Sequence, residues 1–170
     1  MKNQLTRNFT LEELLKSDTA DRWGFTEQYS PPENVIENLK DLCIYILQPL
    51  RDELKLPIRI SSGYRCPRVN AKIGGASRMI NGKVIQTSDH VLGRAADISV
   101  VINGVRANQE LVKTLSKMIK SDKFEWDQII LENGTLVNPN WVHISYRKGE
   151  NRKQILRKDP GVRGYKTIKI

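Results

Sequence analysis

The chain carries, at residues 88–97, the sequence Ser88-Asp89-His90-Val91-Leu92-Gly93-Arg94-Ala95-Ala96-Asp97. Within this stretch a turn at Gly93 leads into a strand that we predict over Ala96 to Val101. The sequence contains two histidines in all. The second, His143, lies in another predicted strand, Trp141 to Tyr146. Strand alternation places Trp141, His143 and Ser145 on one face of that strand.

The sequence on either side predicts an α+β domain. Leading helices and later strands are typical of a small antiparallel sheet flanked by helices. Apolar residues spaced three and four apart predict a long helix after Pro31-Pro32, disturbed by Pro49, and a second helix over Asn108 to Lys120. A capping box opens a short helix from Thr10 to about Lys16. Further strands are predicted over Pro57 to Ser61 and Asp127 to Glu132. We expect residues 19–31 to wrap the surface and residues 74–89 to form a loop.

Two imidazoles and a carboxylate suggest chemistry at His90, Asp97 and His143. Three such ligands leave zinc an open fourth position, where the metal lowers the pKa of a bound water and polarises a carbonyl group. The spacing alone also permits the simpler interpretation, in which each histidine is a hydrogen-bonded strand or surface residue.

Composition limits the possible classes of protein. The 170 residues suit a single domain, and 39% hydrophobic residues are ordinary for a globular protein. No apolar run approaches the roughly 18 residues of a membrane span. The segment Met1 to Arg7 lacks the apolar region of a secretory signal. Cys43 and Cys66 form neither a disulfide framework nor a thiolate metal site, and we expect reduced thiols with Cys43 buried.

The net charge of +9 favours polyanionic partners such as nucleic acid, a lipid surface or an anionic cell wall. The basic residues are densest between Arg147 and Lys169. We find no recognition helix and no basic and aromatic stripe of the kind that binds RNA. Charge therefore identifies no partner by itself.

Four ordered blocks together resemble the M15 family of zinc peptidases, especially its bacteriophage lysin and D-alanyl-D-alanine carboxypeptidase-like branch. The blocks are Ser61-Ser62-Gly63-Tyr64-Arg65, Asn70 with Gly74-Gly75, the Ser88 to Asp97 stretch, and Trp141-Val142-His143. The resemblance covers a core of about 8–147 within one domain over 1–170, and leaves a basic C-terminal extension at 148–170. It implies the fold shared by these carboxypeptidases and hedgehog signalling domains.

The resemblance also implies site residues. It assigns one zinc ion per chain to His90, Asp97 and His143. Arg65 is placed in the substrate cleft, where a fixed cation stabilises negative charge on a reacting oxygen. Tyr64 and Ser88 are assigned to substrate binding.

The general base is less directly indicated. Some family members have an acidic residue where this chain has Asn140, which cannot accept a proton. The closer branch places a glutamate at the position of Glu132, and the hairpin signal Asn133-Gly134 brings that residue beside His143. Asp127, or no acidic base at all, are the alternatives. An insert at 78–87 either shapes the cleft or is a passive surface excursion.

The function implied is hydrolysis of amide bonds in the peptide stem of bacterial peptidoglycan by a monomeric zinc metallopeptidase. With no signal peptide, the protein is expected to be made in the cytoplasm and to reach the wall by release or another export route. The alternatives are a catalytically inactive zinc-containing binding module of the same fold and a nucleic-acid-binding protein.

Overall fold

A computed structural model of the protein describes residues 4–122 and 124–170. Residues 1–3, at the start of the segment Met1 to Arg7 that lacks a secretory signal, lie outside the described residues. The helices are α1 (Leu11–Leu15), α2 (Asp18–Trp23), α3 (Glu33–Leu42), α4 (Gln48–Leu54), α5 (Pro67–Lys72) and α6 (Asn108–Lys120). The strands are β1 (Arg59–Ser62), β2 (Ser77–Ile80), β3 (Lys83–Gln86), β4 (Ala95–Ser99), β5 (Val101–Ile102), β6 (Val105–Arg106), β7 (Gln128–Glu132), β8 (Trp141–Ser145), β9 (Gln154–Lys158) and β10 (Lys166–Thr167). The predicted α+β class is confirmed.

The main sheet has the strand order β1-β4-β8-β7-β9-β10. Its neighbours are antiparallel except for β7 and β9, which run parallel. The basic segment 148–170 supplies β9 and β10. This segment therefore extends the sheet beyond the antiparallel strands that the sequence predicts.

A long helical layer packs against the sheet. Its buried face includes Leu39, Leu42, Ile46 and Leu50, as the apolar periodicity predicts. Between α3 and α4 the helix widens into one π-helical segment, Cys43–Leu47. Pro49 lacks the N–H that would continue the α-helical ladder, so the disturbance predicted at this proline is absorbed in the preceding turn. Among the described residues, no helix is long and apolar enough to cross a membrane.

The predicted surface segment 19–31 is more ordered than expected. It contains most of α2, capped by Ser17, and a short 3₁₀ helix, Thr26–Tyr29. The polar composition of the segment does not predict these short helices, because short, capped helices need little apolar periodicity. Gln28 in the 3₁₀ helix is fully buried.

The prediction of a loop over residues 74–89 is wrong for most of its length. Strands β2 and β3 form a hairpin there, joined by Asn81 and Gly82, both at positive φ. That two-residue turn is a strong hairpin signal. Met79, Ile80, Val84 and Ile85 are all exposed, so no alternation of buried and exposed positions marks the two strands.

Candidate metal centre

Two adjacent strands bring the predicted metal ligands together. Asp97 on β4 stands directly opposite His143 on β8 in the antiparallel register. His90 lies in the turn before β4. The side chains of His90, Asp97 and His143 are 3%, 11% and 12% exposed, so all three are largely withdrawn from water.

The three potential ligand atoms form a nearly equilateral triangle. His90 Nε2 lies 3.2 Å from His143 Nδ1 and 3.3 Å from Asp97 Oδ1. His143 Nδ1 lies 3.0 Å from the same Asp97 oxygen. Ligand atoms of a tetrahedral zinc with bonds of about 2.0–2.1 Å stand about 3.3 Å apart. The separations therefore fit three ligands of one zinc ion, with the fourth position free.

The orientation of His90 is set by a backbone oxygen. His90 Nδ1 lies 2.7 Å from the carbonyl oxygen of Gly63 and can only donate to it. The lone pair is then on Nε2, the atom that faces Asp97 and His143. Such partners of the second ring nitrogen are characteristic of metal-binding histidines.

Steric contacts explain why two positions of the motif blocks, Gly63 and Gly93, are glycine. A Cβ on Gly63 would lie 2.3 Å from the carbonyl oxygen of Leu14, because the chain passes directly beside α1. Gly93 has a φ of +69° and would place a Cβ 2.6 Å from the carbonyl oxygen of Val35. Both turns that carry the site therefore require glycine.

Burial and charge act in opposite directions at the centre. Burial lowers the pKa of His90 despite the nearby Asp97 carboxylate, so its imidazole stays neutral. Burial alone would raise the pKa of Asp97. The neighbouring His90 and His143 instead hold it well below its usual value. An ionised Asp97 beside a neutral His90 is the protonation pattern that a metal requires.

The centre lies in an open cleft of about 530 Å³. Arg65, Ser88 and Glu132 line this cleft together with the three metal-site residues. Tyr64 does not line it, since this residue is 4% exposed and belongs to the hydrophobic core. The structure thus brings together every predicted site residue except Tyr64.

The Arg65 side chain lies directly against the metal centre. Its Nη2 contacts Asp97 Oδ2, and its Nε donates to Ser62 Oγ at 2.8 Å. Gln28 fixes the backbone on either side of Arg65. The Gln28 amide donates to the Tyr64 carbonyl and accepts from the Cys66 N–H, each at 2.8 Å.

Glu132 sits at the end of β7, opposite Trp141 on β8. Asn133 and Gly134 follow at positive φ and begin a connection over residues 133–140, longer than the two-residue turn that Asn-Gly favours. The Asn140 N–H donates back to the Glu132 carbonyl at 2.8 Å. Burial, then the negative charge of Asp97, raises the pKa of Glu132. A carboxylate in such surroundings is a better proton acceptor than one in water.

The carboxylate of Asp127, the alternative base, is occupied by other hydrogen-bond and ion-pair partners. It is fully buried and accepts hydrogen bonds from Ser145 Oγ at 3.0 Å and from Arg152 Nε at 2.7 Å. Arg147 Nε lies 3.2 Å from the same carboxylate. Burial would raise the pKa of Asp127, but these partners lower it. Its contacts are those of a structural ion pair.

The sequence did not indicate four residues that line the cleft: Arg147, Arg152, Leu156 and Tyr165. Three of them lie in the basic segment 148–170, and Arg147 immediately precedes it. The ion pairs of Arg147 and Arg152 with Asp89 tie this segment to the residue before His90. The parallel pairing of β9 with β7 places this segment beside the cleft, and no local sequence pattern predicts that pairing.

A comparison with protein-family models identifies the lineage. The model described as Peptidase M15 matches residues 7–145, more than three quarters of the chain. The chain belongs to the peptidase M15 family. Among curated proteins, no sequence matches it significantly.

Membership in the M15 family agrees with the geometry. The family consists of zinc-dependent metallopeptidases. Within the described parts of the chain, His90, Asp97 and His143 are the cluster suited to hold a metal ion. The family match ends at residue 145, so Leu156 and Tyr165 belong to a part of this M15 peptidase that the family model does not cover.

Proposed function

We propose that this M15 peptidase is a zinc-dependent enzyme that hydrolyses amide bonds in the peptide stem of bacterial peptidoglycan. The observation that carries the proposal is the convergence of a three-ligand metal centre, Glu132 and Arg65 in one cleft. The family match supports a metallopeptidase.

Each residue has a chemical role in this proposal. His90, Asp97 and His143 would hold zinc, which when bound acidifies water and polarises a carbonyl group. Glu132 accepts a proton from the attacking water and passes it to the leaving amine. Arg65 donates hydrogen bonds to the oxygen on which negative charge develops.

The charges of the cleft support an anionic peptide as substrate. Four arginines line it, Arg65, Arg78, Arg147 and Arg152, against the three carboxylates of Asp89, Asp97 and Glu132. Bound zinc adds two further positive charges. Stem peptides carry free carboxylates, which such a cleft attracts. The +9 charge of the whole chain favours adsorption to an anionic wall.

The experiment is digestion of purified peptidoglycan and of defined stem peptides, with mass spectrometry of the products. Activity with zinc that disappears with chelator and returns on adding zinc is the expected result. The fragment masses identify the bond, and so distinguish carboxypeptidase from endopeptidase action. Zinc-loaded protein that releases no fragment from any preparation would refute the proposal.

The alternative is an inactive zinc-containing binding module, and Asn140 is the observation that favours it. Asn140 is a neutral residue where some family members have an acid. The position of Glu132 in the cleft favours catalysis, since a carboxylate is available there. Zinc-dependent retention on peptidoglycan without cleavage would support the binding module. We further propose that the protein acts on the cell wall after release or export.

A further inference from the structure

One row of cross-strand neighbours forms the floor of the cleft. Asp97 on β4 pairs with His143 on β8, His143 pairs with Ile130 on β7, and Ile130 pairs with Leu156 on β9. All four residues line the cleft. The groove therefore runs across the strands and starts from the metal centre at one end.

The far end of this row is apolar. Ile130 is 5% exposed and Leu156 is half-buried, and no formal charge lies on either. Tyr165, the residue before β10, lines the same cleft and is 57% exposed. The Lys158 ammonium lies 5.5 Å from the centre of the Tyr165 ring. β10 is held to β9 through the pairing of Thr167 with Leu156, which fixes where Tyr165 emerges.

The phenol of Tyr165 can act as a donor. Burial, followed by the charges of Glu132 and Asp97, raises the pKa of Tyr165. The hydroxyl consequently keeps its proton at neutral pH. An aromatic face with a hydroxyl at its edge suits an aliphatic group flanked by a carbonyl or carboxylate oxygen.

The row has the length of a short peptide. Neighbouring strands are about 4.8 Å apart, so Leu156 lies about 10 Å and β10 about 15 Å from the strand that carries His143. An extended peptide advances about 3.3 Å per residue. The distances from the metal centre to Leu156 and to β10 thus correspond to about three and about four to five residues.

We propose that Ile130, Leu156 and Tyr165 form a binding subsite for an aliphatic part of the substrate about three to five residues from the scissile bond. The proposal rests on the proposed peptidase function. It makes the substrate class a peptide of four or more residues, because a dipeptide at the metal centre cannot reach this subsite. Specificity for length then depends mainly on Leu156 and Tyr165, which lie outside the family match.

The test uses synthetic peptides of two to five residues that share the bond identified by mass spectrometry and are extended on each side in turn. Their kcat/KM is measured with the zinc enzyme. Their binding to Glu132→Gln protein is measured by calorimetry with and without zinc, which gives a readout independent of catalysis. Extension in one direction should raise kcat/KM and affinity about tenfold or more, the scale of one well-packed aromatic contact.

The variants are Tyr165→Ala, Leu156→Ala and the control Tyr29→Ala, an exposed tyrosine outside the cleft. Tyr165→Ala should lose most of the increase in kcat/KM and affinity that comes with peptide length, whereas Tyr29→Ala should match the parent. Tyr165→Phe should keep part of the gain. If Tyr165→Ala and Leu156→Ala both kept the full increase in kcat/KM and affinity with peptide length, the subsite would be refuted while the peptidase function stands. If no peptide is cleaved, the peptidase function fails, and the calorimetric length series still decides the subsite.

Discussion

His90 donates its Nδ1 hydrogen to the carbonyl oxygen of Gly63, 2.7 Å away, and so presents Nε2 to Asp97 and His143. A backbone oxygen cannot be removed by mutation and does not change rotamer. The orientation of the His90 ligand therefore does not depend on a bound metal. Preorganisation of this kind favours tight binding, because little ordering is left for the ion to impose.

We predict one zinc per chain, lost when a ligand is removed. His143→Ala and Asp97→Ala should each leave far less than one zinc after dialysis, while circular dichroism stays that of the folded parent. Elemental analysis gives the stoichiometry. The control is Asp122→Ala, at an exposed carboxylate. Full zinc content in both ligand variants would contradict the assignment.

Glu132→Gln should keep zinc and lose turnover. The amide has the same shape but cannot accept the proton from water, so kcat should fall by roughly 10² or more. Turnover on a stem peptide is measured beside zinc content. Glu125→Gln, which changes an exposed glutamate, should have normal activity. Near-normal turnover of Glu132→Gln would mean that no acidic base acts from this position.

Arg65→Lys should keep the positive charge but lose the planar fork of donors. We expect kcat/KM to fall by the equivalent of about 2–4 kcal/mol, the scale of a lost oxyanion donor. Because Arg65 also contacts the outer oxygen of Asp97, zinc affinity is measured in parallel. An unchanged kcat/KM would restrict Arg65 to pairing with Asp97.

Asp127 should make stability depend on pH. Its pKa is lowered in the folded protein, so its stabilisation is complete above the ordinary carboxyl value of 3.8 and is lost as pH falls below it. Asp127→Asn should lower the free energy of unfolding by roughly 2–3 kcal/mol at pH 7. This is less than for a fully enclosed ion pair, because Arg147 and Arg152 are partly exposed. Urea unfolding from pH 7 to pH 3 should show a constant difference between the two proteins above about pH 4 and a shrinking difference below it. A difference that did not shrink at low pH would exclude Asp127 as the titrating group.

Arg157 should act as a positioning residue for the turn after Glu132. Its buried guanidinium donates to the carbonyl oxygens of Asn133 at 2.6 Å and Gly134 at 2.8 Å, from a strand outside the family match. A lysine at position 157 cannot donate to both carbonyl oxygens at once. In Arg157→Lys, kcat should therefore fall several-fold and the melting temperature should drop, with zinc content unchanged. Lys153→Ala, at an exposed lysine, is the control. Unaltered turnover in a destabilised Arg157→Lys would show a purely structural role.

The sequence predicts those parts of the fold whose signal is local. The apolar face of the helix after Pro32 and the helix Asn108–Lys120 follow from their periodicity, and both are confirmed. The convergence of His90, Asp97 and His143 is suggested by motif blocks and is present in the structure. Each of these signals lies within a few residues of the feature it predicts.

The parts that the sequence does not predict depend on distant pairing. β9 contains the buried Arg157 and lies in a strongly basic segment, so its composition resembles a solvated tail. Its place in the sheet comes from β7, more than twenty residues earlier. The β2–β3 hairpin was missed for a different reason, since Asn81-Gly82 signals it but its exposed apolar residues follow no alternation.

The pairing of Asp97 with His143 joins positions 46 residues apart. A chain still emerging from the ribosome has no complete zinc centre until β8 has left the exit tunnel, and Tyr165 follows later still. Contacts so distant along the chain also form late in folding, because loop closure precedes them. Products that end before β8 therefore lack the His143 ligand and cannot complete the metal centre.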